Sequence, residues 1–308
     1  MSQLNPRQQE AMQYVSGPLL VLAGAGSGKT SVITRKIAYL IEQCQMPAER
    51  ITAVTFTNKA AREMKARVQK LLPSDKTRGL TVSTFHQFGL QFLRYELLHT
   101  PLKGNFSIMD SEDSKRLLMD LMMRDNMSGA ESRELVGKAI KMISDWKNDL
   151  IRPEQAAATL SDPEDMLFAT LYELYERNLR AYNAVDFDDL IVLPTQILQA
   201  QPQVRDKWQN RIRYLLVDEY QDTNTAQYEL IKLLVGVQAR FTVVGDDDQS
   251  IYAWRGAKPE NMALLQQDFP KLKVVKLEQN YRSTNRILHA ANAVITNNEH
   301  LFEKKLWS

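Results

Sequence analysis

The chain has 308 residues, 44% hydrophobic and 25% charged, which suits one large domain or two ordinary ones and excludes wholesale disorder. Cys44 is the only cysteine, so an internal disulfide and a cysteine-based zinc site are excluded; no apolar run approaches the roughly 18–20 residues that cross a bilayer, and the polar start Met1 to Glu10 lacks a signal-peptide core, which reads as a cytoplasmic protein without a membrane partner. The net charge of +2 hides an asymmetry: residues 1–87 carry 12 basic and 5 acidic residues, 88–198 carry 12 and 19, and 199–308 carry 15 and 13, so the outer segments suit a polyanion such as a nucleotide or nucleic acid, although ordinary solvated surface remains open on charge alone.

In chain order, Leu19–Leu22 reads as a buried strand that ends in the Gly-rich stretch Ala23–Gly28. A helix follows with Ile33, Ile37, Leu40 and Ile41 on one face. Ile51–Phe56 is a second strand, and Ala60, Met64, Val68 and Leu71 give helical spacing up to Pro73. Leu80–Ser83 is a short strand. From about Gln91 to Gln199 the alternation stops. Leu117, Leu118, Leu121 and Met122, then Ile140, Ile143 and Trp146, then Leu167, Leu171, Leu174 and Tyr175 mark helices, with Trp146 as core and with breakers at Pro101, Pro153, Pro163 and Pro194. Tyr214–Val217, Phe241–Val244 and Val274–Leu277 are further strands. Strands alternating with helices predict an α/β fold, a parallel sheet flanked by helices and built from the first and third segments, with an all-helical insertion between them.

Ala23-Gly24-Ala25-Gly26-Ser27-Gly28-Lys29-Thr30 follows a strand and opens a helix, the context of a phosphate-binding P-loop (Walker A). Its glycines let successive N–H groups point at phosphate oxygens, and the helix N-terminus adds a positive dipole end. Lys29 can reach the β- and γ-phosphates, and the Thr30 hydroxyl can ligate Mg²⁺. The strict pattern has Gly where Ala23 stands. The apolar run Tyr214–Val217 ends in Asp218-Glu219; alone this reads as readily as a solvated strand end, but beside a P-loop it is a Walker B arrangement in which Asp218 holds Mg²⁺ and Glu219 orients and deprotonates the attacking water.

Further stretches join these: Leu4-Asn5-Pro6-Arg7-Gln8-Gln9, Thr55-Phe56-Thr57-Asn58-Lys59-Ala60-Ala61, Thr84-Phe85-His86, Tyr220-Gln221-Asp222, Gly245-Asp246-Asp247-Asp248-Gln249-Ser250-Ile251-Tyr252, Trp254-Arg255-Gly256-Ala257 and Gln279-Asn280-Tyr281-Arg282-Ser283. In this order they resemble the superfamily 1 DNA helicases of the UvrD/PcrA/Rep group, over essentially the whole chain. The resemblance implies a RecA-like P-loop NTPase fold and an ATP-dependent 3′-to-5′ DNA helicase or translocase of replication or repair. It implies single-stranded DNA and duplex junctions as partners, with replication or repair proteins and self-association of the parent helicase as further ones, on the nucleoid in the cytoplasm.

The same resemblance implies residue roles. Gln8 recognises adenine, Tyr281 stacks on its ring, Arg282 contacts the γ-phosphate, and Gln249 senses that phosphate and links hydrolysis to the grip on DNA. Phe56, Phe187, Tyr252 and Trp254 match aromatic positions at the DNA, and Thr57, Asn58, Thr84, His86 and Arg255 match its polar contacts; such grooves combine polar and cationic contacts with stacking platforms. Without the family, Phe187 reads as a core aromatic beside an acidic helix cap and His86 equally as a local cap or a core hydrogen bond, while Lys59 and Arg62 stay undecided between phosphate and solvent. Asp247 and Asp248 read as a solvated acidic turn.

The family's boundaries imply motor domain 1A over 1–87 and 199–280, insertion domain 1B over 88–198, and the start of a second motor domain 2A over 281–308. Family members are about twice this length, so the expectation is a fragment that binds ATP and DNA, hydrolyses slowly and unwinds little. Two other readings compete: the helicase subunit of a nuclease–helicase complex, and a regulatory ATP-binding module acting through a partner.

Overall fold

The computed structural model describes residues 4–124, 132–159, 162–298, 302 and 304–308; the first three residues of the polar start lie outside them. Eight strands occur among the described residues: β1 (Leu19–Ala23), β2 (Ile51–Thr55), β3 (Thr81–Thr84), β4 (Ser107–Ile108), β5 (Ala184–Val185), β6 (Tyr214–Val217), β7 (Phe241–Gly245) and β8 (Lys273–Leu277). Six form one sheet in the order β3-β2-β6-β7-β1-β8, every pair parallel. The sheet therefore joins strands from both sides of the middle segment, as the sequence predicts. Parallel order places all six carboxyl ends on one edge, where ligand crevices of open α/β sheets form. Strands β1 and β6 flank β7, so three loops emerge side by side.

Burial on both faces explains the unbroken apolar runs. Leu19, Val21, Ile51, Ala53, Tyr214 and Leu216 share a cluster with Val32, Ile33, Ile37 and Leu40 of the helix Lys29–Glu42 and with Met64 and Val68 of the helix Asn58–Leu71. Their strand neighbours Leu20, Leu22, Val54, Leu215 and Val217 alternate to the other face and are also buried. Each buried valine, leucine, isoleucine or methionine among them contributes about 1.5–3 kcal/mol. The residue of the second helix that is buried beside Met64 and Val68 is Ala61 rather than Ala60, because Ala61, Met64 and Val68 follow the i, i+3, i+7 spacing.

The chain forms two compact units. The first comprises Met1–Phe85, Gln203–Thr223 and Ile231–Ser308 and holds the large sheet; residues 281–308 group with it. The second comprises His86–Pro202 and Asn224–Leu230. Its core joins Leu118, Leu121, Ile143, Trp146, Leu171 and Tyr175, with Trp146 stacked on Tyr172 at 5.8 Å.

The second unit departs from the sequence reading twice. It is not all-helical, since β4 and β5 pair in parallel; two residues each are too few to show a period of two. Pro194 breaks nothing either: it lies inside the helix Asp189–Ala200. Proline has no N–H for the carbonyl four residues back, here that of Leu190, and its ring crowds that carbonyl. The Leu190 oxygen lies against Gly89, where an added Cβ would stand 1.7 Å from it. Pro153 and Pro163 each begin a helix, where a missing N–H is harmless. No described helix is long and apolar enough to cross a membrane.

Candidate active site

The P-loop leaves β1 and enters the helix at Lys29. Gly26 (φ +70°) and Gly28 (φ +87°) adopt left-handed conformations, and a Cβ would lie 2.6 Å from Asn280 Nδ2 at the first and 2.7 Å from Gln8 Nε2 at the second. Only glycine meets both demands. Ala23 needs neither: it is the last residue of β1, paired with Leu277 of β8, which is why alanine stands there. Gly28 caps the helix without a side chain, so its first N–H groups face the loop. Ala25, Gly26, Ser27, Gly28, Lys29 and Thr30 line a pocket of about 480 Å³, together with Arg67, Glu219, Gln249, Tyr281 and Arg282. The buried Ser27 Oγ has no hydrogen-bond partner among the described residues.

At the end of β6, Asp218 and Glu219 receive different surroundings. Asp218 is 5% exposed, and its N–H still donates to Val54 of β2 at 3.0 Å. Burial, reinforced by the Glu219 charge, pushes its carboxyl up to about 6 against the opposing effects of the Glu219 N–H and Lys29. Glu219 then turns into the left-handed region (φ 51°, ψ 44°), a conformation that non-glycine residues adopt at some cost. Its Oε2 meets Lys29 Nζ at 3.2 Å and Gln221 Nε2 at 2.9 Å. Burial and Glu219 likewise push Asp222 up to about 6.

A third loop closes the ring. Gln249 Oε1 accepts from Lys29 Nζ at 3.3 Å, and Gln249 Nε2 donates to Asp246 Oδ2. The Asp246 N–H donates to Gln221 Oε1 at 3.0 Å. Lys29, Glu219, Gln221, Asp246 and Gln249 thus form one connected network from three strand ends. The solvated acidic turn expected at Asp247 and Asp248 is absent: both carboxylates pair with Lys304, as does Asp246. Fixed partners replace solvent because Lys304 brings the opposite charge to all three.

Gln8 engages its amide locally. Its Oε1 accepts from the Asn5 N–H at 3.0 Å in a capping box, and its Nε2 donates to Ser27 O at 2.9 Å. A bidentate bond to an adenine edge would have to share or displace these. Tyr281 is 57% exposed at the pocket, its hydroxyl accepting from Asn5 Nδ2 at 2.8 Å. Asn280 shapes the Arg282 turn: its Oδ1 accepts the Arg282 and Ser283 N–H groups at 2.7 Å each, while its Nδ2 donates to Ala25 O.

The remaining predicted residues divide between the units. In the first unit, Phe56 follows β2 and meets Phe85 edge-on at 5.3 Å. Thr57 and Asn58 are exposed, and the Thr57 hydroxyl caps the following helix by accepting the Ala60 N–H at 3.1 Å. Thr84 ends β3 and is buried. Arg255 lies over Tyr252 at 5.3 Å and over Trp254, 65% exposed, at 4.4 Å. In the second unit, Phe187 is 51% exposed, not a core aromatic, and packs edge-on against His86 at 6.1 Å. Burial holds the His86 imidazole below its usual pKa.

Sequence reasoning gave no role to Gln221, Asn280, Arg67 or Lys304. The first two sit inside the motifs that carry Glu219 and Tyr281, and that adjacency is the signal that marks them. Nothing local marks Lys304, which reaches its partners only through the fold.

Residues 4–270 match the family described as UvrD/REP helicase N-terminal domain. The chain is 59% identical over 308 residues to "ATP-dependent DNA helicase Rep" of Escherichia coli (strain K12), covering 99% of this chain and 45% of that protein. It is 43% identical over 310 residues to "ATP-dependent DNA helicase PcrA" of Staphylococcus aureus (strain Mu50 / ATCC 700699), covering 100% of this chain and 42% of the relative. The crystal structure of Pif1 helicase from Candida albicans aligns over 96% of this chain and 44% of that one, with a TM-score of 0.38 and 10% identity, too low to carry a comparison of folds. The chain thus spans less than half the length of these curated relatives. With a match that runs from the capping box at Asn5 past the P-loop, the Asp218-Glu219 pair and the Gln249 turn, the chain belongs to the UvrD/REP helicase N-terminal domain family.

Proposed function

We propose that this chain is the ATP-binding motor portion of a 3′-to-5′ DNA helicase or translocase that acts in replication or repair. One observation carries the reading: Lys29 Nζ lies 3.2 Å from Glu219 and 3.3 Å from Gln249 in a single pocket. Residues 1–87 and 199–280 would form motor domain 1A, 88–198 domain 1B and 281–308 the start of 2A.

The residues present fit a nucleoside triphosphate with Mg²⁺. The P-loop residues Ala25 to Thr30 line the pocket, with Gly26 and Gly28 in left-handed conformations that a side chain would force against Asn280 and Gln8, and the buried Ser27 Oγ has no hydrogen-bond partner among the described residues. Thr30 and Asp218 would hold the metal, which neutralises phosphate charge when bound. Lys29 would move from Glu219 to a terminal phosphate oxygen. That frees Glu219 to orient and deprotonate water, while Gln221 keeps hold of the same carboxylate. Arg282 supplies a guanidinium fork for the transferring phosphoryl group, Gln249 reports its presence, Tyr281 offers a stacking face for adenine and Gln8 an edge.

For single-stranded DNA, the first unit contributes Phe56, Thr57, Asn58, Thr84, Tyr252, Trp254 and Arg255, and the second contributes His86 and Phe187. Exposed Trp254 under Arg255 supports stacking. Duplex junctions, repair or replication proteins and further copies of the parent helicase are the matching partners, on the nucleoid. The 308 residues alone would bind ATP and DNA with little strand separation, since translocation needs two lobes that close around nucleotide.

The test is steady-state phosphate release with and without single-stranded DNA, for this chain and for Lys29→Ala. DNA-stimulated hydrolysis lost in the variant is expected. Nucleotide binding that ignores DNA would favour the regulatory-module reading, and no nucleotide binding would end both.

A further inference from the structure

Two loops that build the pocket, Asp246–Gln249 and Gln279–Arg282, are held by one short stretch, Lys304–Trp307. The Lys304 side chain is only 5% exposed, and its Nζ contacts Asp246, Asp247 and, at 3.0 Å, Asp248. The Asp246 contact is an ion pair without aligned hydrogen-bond geometry, made through Oδ1 and leaving Oδ2 for Gln249. Leu306 exchanges hydrogen bonds with Asn292, at 2.8 and 3.3 Å, and its side chain lies over Gly24. Trp307 spans the second loop: its N–H donates to Glu278 O at 3.1 Å, and its carbonyl accepts the Asn280 N–H at 2.7 Å.

Three carboxylates whose oxygens lie within 4.8 Å of one another repel unless a cation sits among them. Burial alone would depress the Lys304 ammonium, but Asp246 and Asp247 outweigh it and hold its pKa above the ordinary lysine value. Among the described residues, the ion pairs of the Lys304 ammonium go to Asp246, Asp247 and Asp248, which do not line the pocket. Lys304 reaches Gln249 through Asp246, and Gln249 reaches Lys29.

We infer that Lys304 is a positioning residue for nucleotide sensing: by neutralising the Asp246–Asp248 turn it aims Asp246 at Gln249 and Gln249 at the terminal-phosphate end of the pocket, and so sets how well the site separates ATP from ADP. The inference rests on Gln249 being the γ-phosphate sensor.

The experiment titrates the 308-residue chain, Lys304→Met and Lys304→Arg with fluorescent ADP and with a non-hydrolysable ATP analogue, both with Mg²⁺. In Lys304→Met, ADP affinity is expected to hold within about twofold while the ATP-analogue-to-ADP ratio narrows about fivefold, the size of one positioned hydrogen bond. Lys304→Arg restores most of the ratio, and Gln249→Ala narrows it without a further effect from Lys304→Met. An unchanged ratio in Lys304→Met overturns the proposal. So does an equal loss of both ligands in both lysine variants, which would mark Lys304 as holding the fold only. A parent chain that binds neither nucleotide refutes the nucleotide site itself, a separate failure read from the parent alone.

Discussion

Lys29 Nζ and Glu219 Oε2 stand 3.2 Å apart, 190 positions distant in sequence, and this pair ties the P-loop to the strand end that carries the carboxylates. A charge-assisted bond of this kind is worth about 1.5–3 kcal/mol when its partner is a phosphate oxygen instead. Lys29→Ala is therefore expected to weaken ATP binding about 10–100-fold, with folded circular dichroism retained. Nucleotide titration checks it, and unchanged affinity would contradict the placement of Lys29 at the phosphates.

Glu219→Gln separates binding from chemistry. The amide keeps an oxygen for Lys29 and Gln221 but cannot take a proton from water. Loss of general-base catalysis lowers rates by about 10²–10⁴. Single-turnover phosphate release should fall by that factor while nucleotide affinity stays within a few-fold; parallel loss of both would assign Glu219 to binding instead.

The fold was legible where burial is two-sided. β1 and β6 are unbroken apolar runs, and β2 and β7 are interrupted only by buried threonines (Thr52, Thr55, Thr242), because both faces are buried; the P-loop announces itself because only glycine suits Gly26 and Gly28. What stayed hidden depends on partners far away in sequence. Pro194 looks like a breaker until Gly89 makes room for the Leu190 carbonyl. Asp247 and Asp248 look solvated until Lys304 arrives from 57 positions beyond Asp247. Nor does the sequence show that the Gln8 amide engages Asn5 and Ser27. Short β4 and β5 carry no period at all.

Asp218 makes the apo chain pH-sensitive. Its carboxyl rises from 3.8 to about 6 on folding, so between those values the folded state holds more protons than the unfolded one. Stability from this group falls as pH rises through that window and stays lower above it. A shift of about two units is worth at most ~3 kcal/mol. Asp218→Asn removes the charge and keeps an oxygen for the Glu219 N–H, at 3.0 Å in the parent. Without nucleotide or Mg²⁺ the variant should melt higher than the parent at pH 7–8, with the gap closing toward pH 4. A gap that persists at pH 4 would contradict the titration of Asp218. Asp222 shifts the same way but is common to both proteins.

In the second unit, Lys147 is buried among Glu176 at 2.7 Å, Asp186 at 2.8 Å and Asp189 at 2.9 Å. Burial opposes its charge, yet the Asp186 and Asp189 carboxylates more than compensate and keep its pKa well above the usual lysine value. Removing one partner of a buried pair leaves uncompensated charge, at about 3–5 kcal/mol. Lys147→Met should lower the urea midpoint accordingly. Asp186 and Asp189 flank Phe187, so the variant should also disturb the exposed ring; a midpoint like the parent's would show that the cluster is dispensable.

Trp254 and Arg255 allow stacking to be separated from charge. The indole is 65% exposed with the guanidinium 4.4 Å over it, so truncating either removes little buried area and should leave the melting temperature within a degree or two. Stacking of a base on an aromatic ring is worth about 1–3 kcal/mol and varies little with salt, whereas a cation on phosphate adds to the salt slope, about 0.7 per contact on single strands. Trp254→Ala should therefore weaken oligonucleotide binding about 5–150-fold with the slope of log affinity against log salt unchanged. Arg255→Ala should flatten that slope, unless the arginine serves only to hold the indole, in which case it would copy the tryptophan variant. Fluorescence anisotropy across a salt series reads both, and an affinity indifferent to Trp254 would remove this face from the DNA path.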